Sequence, residues 1–572
     1  MCAGVASAAA NWQRWIDPFV DSAREMIVPA RLADGERLYR DVVYHYGPAA
    51  PWINAVVIRI FGRRFAALEA VGLLASILLF CSLARLTARA GSRLSAFLAA
   101  TWGAAVCLGA PAGGSFLFPY SFGTLIALAA AFLCLDQASD ARGARSDGLA
   151  AGGLALALAA KPEIGAACVL LLLLWLLRSE ERRRLSRQTF RIVGGGLGGA
   201  AVAYGIAFAG ISLASLSPEG PLALFAPPRE WRNVYRLLAG LGDPARAIRA
   251  TGTALFCGVV LIVLAALAAN IAVRAPRAAL FIWTLLIGGL TLFFSLPIGG
   301  AIDDRLPPLL EPMPLFALGA GLFFLFAPNQ EGRGRACFLL FGFAGAFGSR
   351  VLFGLAYGAT TTPYSVLAFP GLAAAAAVLL LDLASRRFAA RPALAVAWRS
   401  CLAILMVGLS VAGVARWHRL LPSDRHLTVQ TASGFLSLPA GRALAVRDTL
   451  EFLAREARPG DGLSGFPEGG FFNFVTRLSN PLREDQILPG HLTADDERRV
   501  AERLESHGPR FVLVANLSTA PFGPSWFGVD YARDIQRVID QRYRAAATFG
   551  PAPPDAPIGA PDFFVRVFLR RP

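Results

Sequence analysis

Residues 66–84 read AALEAVGLLASILLFCSLA, and residues 85–93, which follow, read RLTARAGSR. The first stretch carries one charged side chain, Glu69. It is long enough for an α-helix to cross the hydrocarbon of a bilayer, which takes about 20 residues and about 17 at the least. Arg85, Arg89 and Arg93 then mark a loop held on one side of the membrane. The pattern repeats toward the C-terminus. Further apolar runs occupy 93–110, 121–135, 148–160, 164–177, 192–212, 252–273, 278–298, 314–327, 337–356, 364–383 and 397–414. The composition agrees: 55% of the 572 residues are hydrophobic, 16% are charged, and the mean hydropathy is +0.52. A soluble globular chain carries about 25% charged residues. A disordered chain, a collagen-like fibre and an ordinary soluble enzyme are excluded. The expectation is an α-helical polytopic membrane protein with about twelve transmembrane helices.

The net charge of +16 reads as topology and not as affinity for nucleic acid, because most arginines lie in short loops between apolar runs. Arg178, Arg182, Arg183, Arg184, Arg187 and Arg191 fill one loop. Arg274 and Arg277, Arg333 and Arg335, and Arg386, Arg387 and Arg391 fill later ones, while loops 111–120 and 357–363 hold no basic residue. The positive-inside rule puts the arginine loops in the cytoplasm. Residues 1–63, loops 213–250 and 299–313, and everything after 417 then lie outside. The eight cysteines show no metal-ligand spacing and no disulfide framework; they read as small core residues. The run GGGLGG at 194–199 reads as close helix packing.

After 417 no run is long enough to span, and the pattern becomes that of a soluble α/β domain. Helices are expected at 441–457, 493–507 and 529–543, and strands at 460–466, 510–516, 545–549 and 563–569. The chain thus divides into an outer-face catalytic loop with interfacial helices (1–63), a transmembrane domain (64–416) and an extracytoplasmic α/β domain (417–572).

Residues 15–62 read WIDPFVDSAREMIVPARLADGERLYRDVVYHYGPAAPWINAVVIRIFG, dense in acidic, basic and aromatic side chains beside the membrane. Asp17 and Asp21 are four apart, a spacing that puts both carboxylates on one face of a helix. From spacing alone, a solvated amphipathic segment lying in the interface accounts for this as well as a site does.

The order of the acidic pair, Ala23-Arg24-Glu25-Met26, the Leu-Tyr-Arg-Asp block ending at Asp41, and Tyr46-Gly47-Pro48 through Phe61-Gly62 resembles the first outer loop of C-type glycosyltransferases. These are polytopic enzymes that move a sugar from a polyprenyl-phosphate carrier to an acceptor. The bacterial members similar to protein O-mannosyltransferases and to the lipid A aminoarabinose transferase are the nearest. The resemblance implies a catalytic aspartate in this loop, Asp17 or Asp21. Two departures stand out. The Asp-Glu pair of the mannosyltransferases is Asp17-Pro18 here, which leaves open which aspartate is the base. The lysine of the family's Lys-Pro-Pro stretch is replaced by Tyr46 or Gly47, which removes one phosphate contact.

Transfer of a sugar to an alcohol needs a base for the hydroxyl proton. A lipid phosphate leaving group needs cationic donors aimed at its developing charge. Lys161 is the one lysine in a chain that otherwise uses arginine, and it sits in Ala160-Lys161-Pro162-Glu163 at an outer turn. It is either a phosphate contact or a helix-end residue snorkelling to the headgroups. Arg350 lies within the run 337–356, and an ionisable residue inside a membrane helix is a functional candidate by default. Arg24, Glu25, Asp41, His45 and Tyr46 from the loop, with Glu163 beside Lys161, complete the expected substrate contacts. Asp303, Asp304 and Arg305 border the cleft or form a solvated loop.

The expected partners are a polyprenyl-phosphate sugar donor, membrane lipids and an acceptor glycan, lipid or protein, with no nucleic acid. No cofactor and no metal ligand is indicated, although two aspartates leave a divalent metal open. A transporter or flippase, and a scaffold of the same fold without catalysis, are the other classes. The resemblance also places a membrane helix before the acidic loop. Only MCAGVASAAANWQR and Trp15-Ile16 precede Asp17, too little apolar chain to span. A shortened N-terminus and a gap in the helix ring beside Asp17 are therefore expected.

Overall fold

The computed structural model describes residues 8–14, 16–19, 21–109, 114–140, 143–178, 182–211, 227–295, 313–327, 332–352, 363–420 and 426–572. Asp303, Asp304 and Arg305 lie outside them. The helices of the first part are α1 (Ser22–Ala33), α2 (Ala49–Phe61), α3 (Phe65–Ala90), α4 (Arg93–Gly109), α5 (Phe122–Ala138), α6 (Ala144–Ala160), α7 (Pro162–Arg178) and α8 (Arg182–Phe208). They continue with α9 (Arg229–Leu238), α10 (Pro244–Arg274), α11 (Pro276–Ser295), α12 (Met313–Phe326), α13 (Arg333–Gly348), α14 (Pro363–Ala377) and α15 (Pro392–Leu420).

Among the described residues every apolar run read from the sequence overlaps a helix. The count of about twelve spans is not confirmed among the described residues. Among the described residues four helices are long and apolar enough to cross a membrane: Phe65–Ala90, Ser186–Phe208, Val366–Phe388 and Pro392–Val411. Others, such as α4, α5 and α12, are apolar but shorter. Large apolar side chains face outward along α8, α10 and α11, among them Val202, Ile206, Phe256, Val259 and Phe281, as lipid contact requires. The glycine run does serve close packing: a Cβ on Gly196 would meet Leu154 of α6 at 2.6 Å.

Two elements differ from their sequence reading. α13 stops at Gly348, and Arg350 falls in the 3₁₀ turn Ser349–Val351 that follows it. α1 is not a solvated interfacial helix. Eleven of its twelve residues are buried, from Ser22 to Leu32, beneath the C-terminal part of the chain. The surroundings of Asp17 are covered in the same way: Ile16 and Phe19 are buried, and Phe19 packs edge-on against Phe563 with ring centroids 4.8 Å apart.

Residues 426–572 form a hairpin of β1 (His426–Thr431) and β2 (Gly434–Pro439), then α16 (Ala440–Glu456), β3 (Leu463–Phe466), α17 (Gly470–Thr476), α18 (Ala494–His507), β4 (Phe511–Ala515), α19 (Arg533–Arg542), β5 (Tyr543–Phe549) and β6 (Val565–Arg570). The four expected strands and three expected helices are present; the hairpin and α17 were not legible. The sheet order is β3-β4-β6-β5, with β3 and β4 parallel and the other pairs antiparallel. β4 alternates: Val512 and Val514 pack with Leu504, Ile535 and Ile539 of α18 and α19. Phe511 and Leu513 join the same apolar cluster as α1 and the helix bundle. That shared cluster fixes the C-terminal part against the N-terminal loop.

The helices also define two ends. α5 begins at Phe122, whose N–H donates to Glu25, and ends near Asp136, which receives Arg85 and Arg89. α6 runs back from Asp147, paired with Arg191, to Lys161. A 17-residue helix is about 25 Å long. The arginine-rich loops therefore gather at one end and the residues singled out for chemistry at the other.

Candidate active site

The loop Tyr44–Pro48 lies across the end of α6. A Cβ on Gly47 would collide with the carbonyl of Ala159, so only glycine allows this approach. The contact delivers Tyr46 to Lys161, which ends α6 with extended backbone. The Lys161 Nζ lies 3.4 Å from the Tyr46 ring centroid, and the Arg24 guanidinium carbon lies 5.0 Å from the same centroid. Lys161 is 3% exposed. Its nearest carboxylate is that of exposed Glu163, at 3.8 Å. Arg350 is close enough for its charge to bear on Lys161 and on Tyr120. Two cations, Arg24 and Lys161, thus converge on Tyr46.

Asp21 stands beside them. No helix joins it to Asp17: α1 starts at Ser22, and Asp21 precedes it at φ 50°. A non-glycine residue in that left-handed region carries strain of order 1–3 kcal/mol. The Asp21 carboxylate meets Arg24 at 3.0 Å, and its N–H donates to Glu468 Oε2 at 2.8 Å. Arg24 further donates to Gln486 Oε1 (3.1 Å) and to Glu25 Oε1 (3.3 Å). Glu25, 3% exposed, accepts the Phe122 N–H at 3.0 Å and so caps the first turn of α5. Burial pushes its carboxyl above the usual range against the pull of Arg24. Burial likewise raises Glu468, and the neighbouring Asp21 charge adds to it.

The remaining expected residues lie elsewhere. Asp17 accepts the Phe19 N–H (2.9 Å) and pairs with Arg442 of α16 (3.3 Å). Asp41 is engaged by Arg40 (2.8 Å) and by the Arg37 N–H. His45 is buried between Trp231 and His491, with ring centroids 5.1 and 4.9 Å away. Burial drives both imidazoles toward the neutral form, His491 down to about 4. Among the described residues no group of three His, Cys, Asp or Glu is placed to hold a metal ion.

Sequence reasoning missed Glu468, Gln486 and His491, all from the C-terminal part, and Trp231 from α9. A signal for Glu468 existed: it is the one charged residue in Gly465-Phe466-Pro467-Glu468-Gly469-Gly470, and clustered glycines mark close backbone approach.

No protein-family model matches the chain, and no curated protein sequence matches it either. Among solved structures it is similar to ArnT from Cupriavidus metallidurans bound to undecaprenyl phosphate. Identity there is 13% over 99% of this chain and 96% of that one, with a TM-score of 0.44. It is similar to the oligosaccharyltransferase of Archaeoglobus fulgidus in complex with zinc and sulfate, at 14% identity over 96% and 72%, TM-score 0.47. A third is the arabinofuranosyltransferase AftD from Mycobacteria, at 14% over 100% and 40%, TM-score 0.39. None of these similarities assigns a role to a residue of this chain.

Proposed function

We propose that this chain is an integral-membrane glycosyltransferase that moves a sugar from a polyprenyl-phosphate donor to an acceptor hydroxyl. The observation that carries the reading is the convergence of Arg24 and the buried Lys161 on Tyr46, next to Asp21. Like charges held together out of water call for an anion between them, and a phosphate meets that need. The resemblance of residues 15–62 to the outer loop of C-type glycosyltransferases points the same way.

In this reading Asp21 takes the proton of the acceptor hydroxyl as the acceptor oxygen bonds to the anomeric carbon. The bond from that carbon to the phosphate oxygen breaks, and its electron pair leaves with the polyprenyl phosphate. Lys161, Arg24 and Arg350 stabilise the charge that develops there. Asp17 serves structure by pairing with Arg442. In this reading the site and residues 426–572 face the extracytoplasmic side of a bacterial-type plasma membrane; the gathering of the arginine loops at the far end of α3, α5 and α6 supports this through the positive-inside rule.

The test is the full chain in proteoliposomes with labelled polyprenyl-phosphate sugars. Label on an acceptor, with polyprenyl phosphate released in equal amount, supports the reading. A donor that crosses the bilayer intact would make the chain a transporter.

A further inference from the structure

The loop that carries Glu468 is built to press on α1. It leaves β3 at Phe466 and enters α17 at Gly470. A Cβ on Gly470 would lie 2.6 Å from Ile27 Cγ2 of α1, and one on Gly469 would collide with Gly465. A side chain at Gly470 would hold the loop away from α1, and one at Gly469 would open the turn itself. Its place is fixed from the other side as well: Glu468 forms a β-bridge with Gln486, and the Ile487 N–H donates to the Pro467 carbonyl at 2.8 Å. The Glu468 side chain is 4% exposed, and its Oε2 accepts the Asp21 N–H. No side chain caps the start of α1, so this bond adds to the Arg24 ion pair and the Glu25 N–H in holding Asp21 at its left-handed φ.

We infer that Glu468 is a positioning residue for sugar transfer: by accepting the Asp21 N–H it holds Asp21 in the left-handed conformation that turns its carboxylate to Arg24, so the C-terminal part of the chain completes the active site. The inference rests on the transferase reading above. It gives residues 463–491 a role in the chemistry, distinct from any part they play in holding the acceptor. The raised carboxyl of Glu468 fits this role, since a neutral acid still accepts an N–H and does not repel Asp21.

The experiment compares Glu468→Gln with Glu468→Met in the full chain. Glutamine keeps an oxygen acceptor; methionine keeps the length, fills the volume and offers no oxygen. Glu468→Gln is expected to keep kcat within about threefold. Glu468→Met is expected to lose about 10²-fold in kcat with donor KM nearly unchanged, the effect of a catalytic group displaced by about an ångström. Hydrogen exchange of a peptide covering 21–26 is expected to speed up in Glu468→Met only. Equal losses in both variants, or full activity with slow exchange in Glu468→Met, would overturn the inference. A wild-type chain that transfers no sugar would instead sink the transferase reading, while the exchange comparison still reads the bond between Glu468 and Asp21. Should Glu468→Met fail to fold, a Glu468→Gln variant with wild-type melting and a 10²-fold loss in kcat would contradict it.

Discussion

The two ends of the helix bundle handle charge in opposite ways. At the arginine-rich end the carboxylates are buried and their cations reach in from outside. Asp136, 1% exposed at its side chain, receives Arg85 at 3.1 Å and Arg89 at 2.6 Å, and the Arg85 side chain is 59% exposed. Asp147 and Arg191 repeat the arrangement, and Asp382 is shared by Ser95 and Arg399. Such arginines keep much of their hydration, and each carboxylate is matched on its own. At the other end the cations themselves are buried, Arg24 and Lys161 together, among carboxylates already held by backbone N–H groups. Burying a charge is costly unless a partner compensates it. The lesson is that most cations of the first end keep contact with water while they pair, Arg335 being the buried exception, whereas at the second Arg24 and Lys161 are both out of water and Lys161 has only exposed Glu163, at 3.8 Å, for a carboxylate partner.

Parallel substitutions should separate the two ends most. Arg24→Met strands Asp21 and the buried Glu25, and should lower stability by about 3–5 kcal/mol while abolishing transfer. Arg89→Met leaves Asp136 with Arg85 and the Gln137 amide, and should cost about 1 kcal/mol. Thermal unfolding in detergent reads both; equal losses would break the distinction.

A pH effect comes next. Burial holds His491 near 4, below its ordinary 6.5. The unfolded chain takes up that proton first, so the contribution of neutral His491 to stability is complete above 6.5 and is lost as pH falls toward 4. It amounts to at most about 3 kcal/mol. His491→Gln should flatten the fall in melting temperature over that window, and an unchanged slope would show that His491 does not titrate there. Lys161 ranks third. Lys161→Ala should raise donor KM by about 10- to 100-fold, and Lys161→Arg should restore little of it, because a planar guanidinium does not replace a point charge against Tyr46. Full donor affinity in both variants would place the phosphate elsewhere. Asp17→Asn should have the smallest effect, a change in kcat below about threefold, with faster proteolysis of the C-terminal part as its contact with Arg442 weakens. A large loss of kcat there would return Asp17 to the role of base.

Much of this was legible in the chain itself. The apolar runs mark the helices because lipid and core both demand them, and the arginine clusters mark one end because charge stays with water. The single lysine drew attention to Lys161, and the Tyr46-Gly47-Pro48 stretch to the turn that reaches it. What spacing could not supply was long-range contact. The interval between Asp17 and Asp21 suggested one helical face, yet α1 starts only at Ser22 and the Asp21 N–H goes to Glu468, 447 residues away. Arg442 claims Asp17 in the same way. Helix length was misjudged where runs end in irregular turns, as at Arg350, since hydropathy does not register a change from α to 3₁₀ winding.

The most direct test of the central claim is a single-turnover measurement of polyprenyl phosphate released by folded wild-type protein and by Asp21→Asn, at saturating donor and acceptor. The account predicts stoichiometric release by the wild type and a rate about 10²- to 10⁴-fold lower for Asp21→Asn at equal donor binding. Equal rates in the two proteins would contradict it.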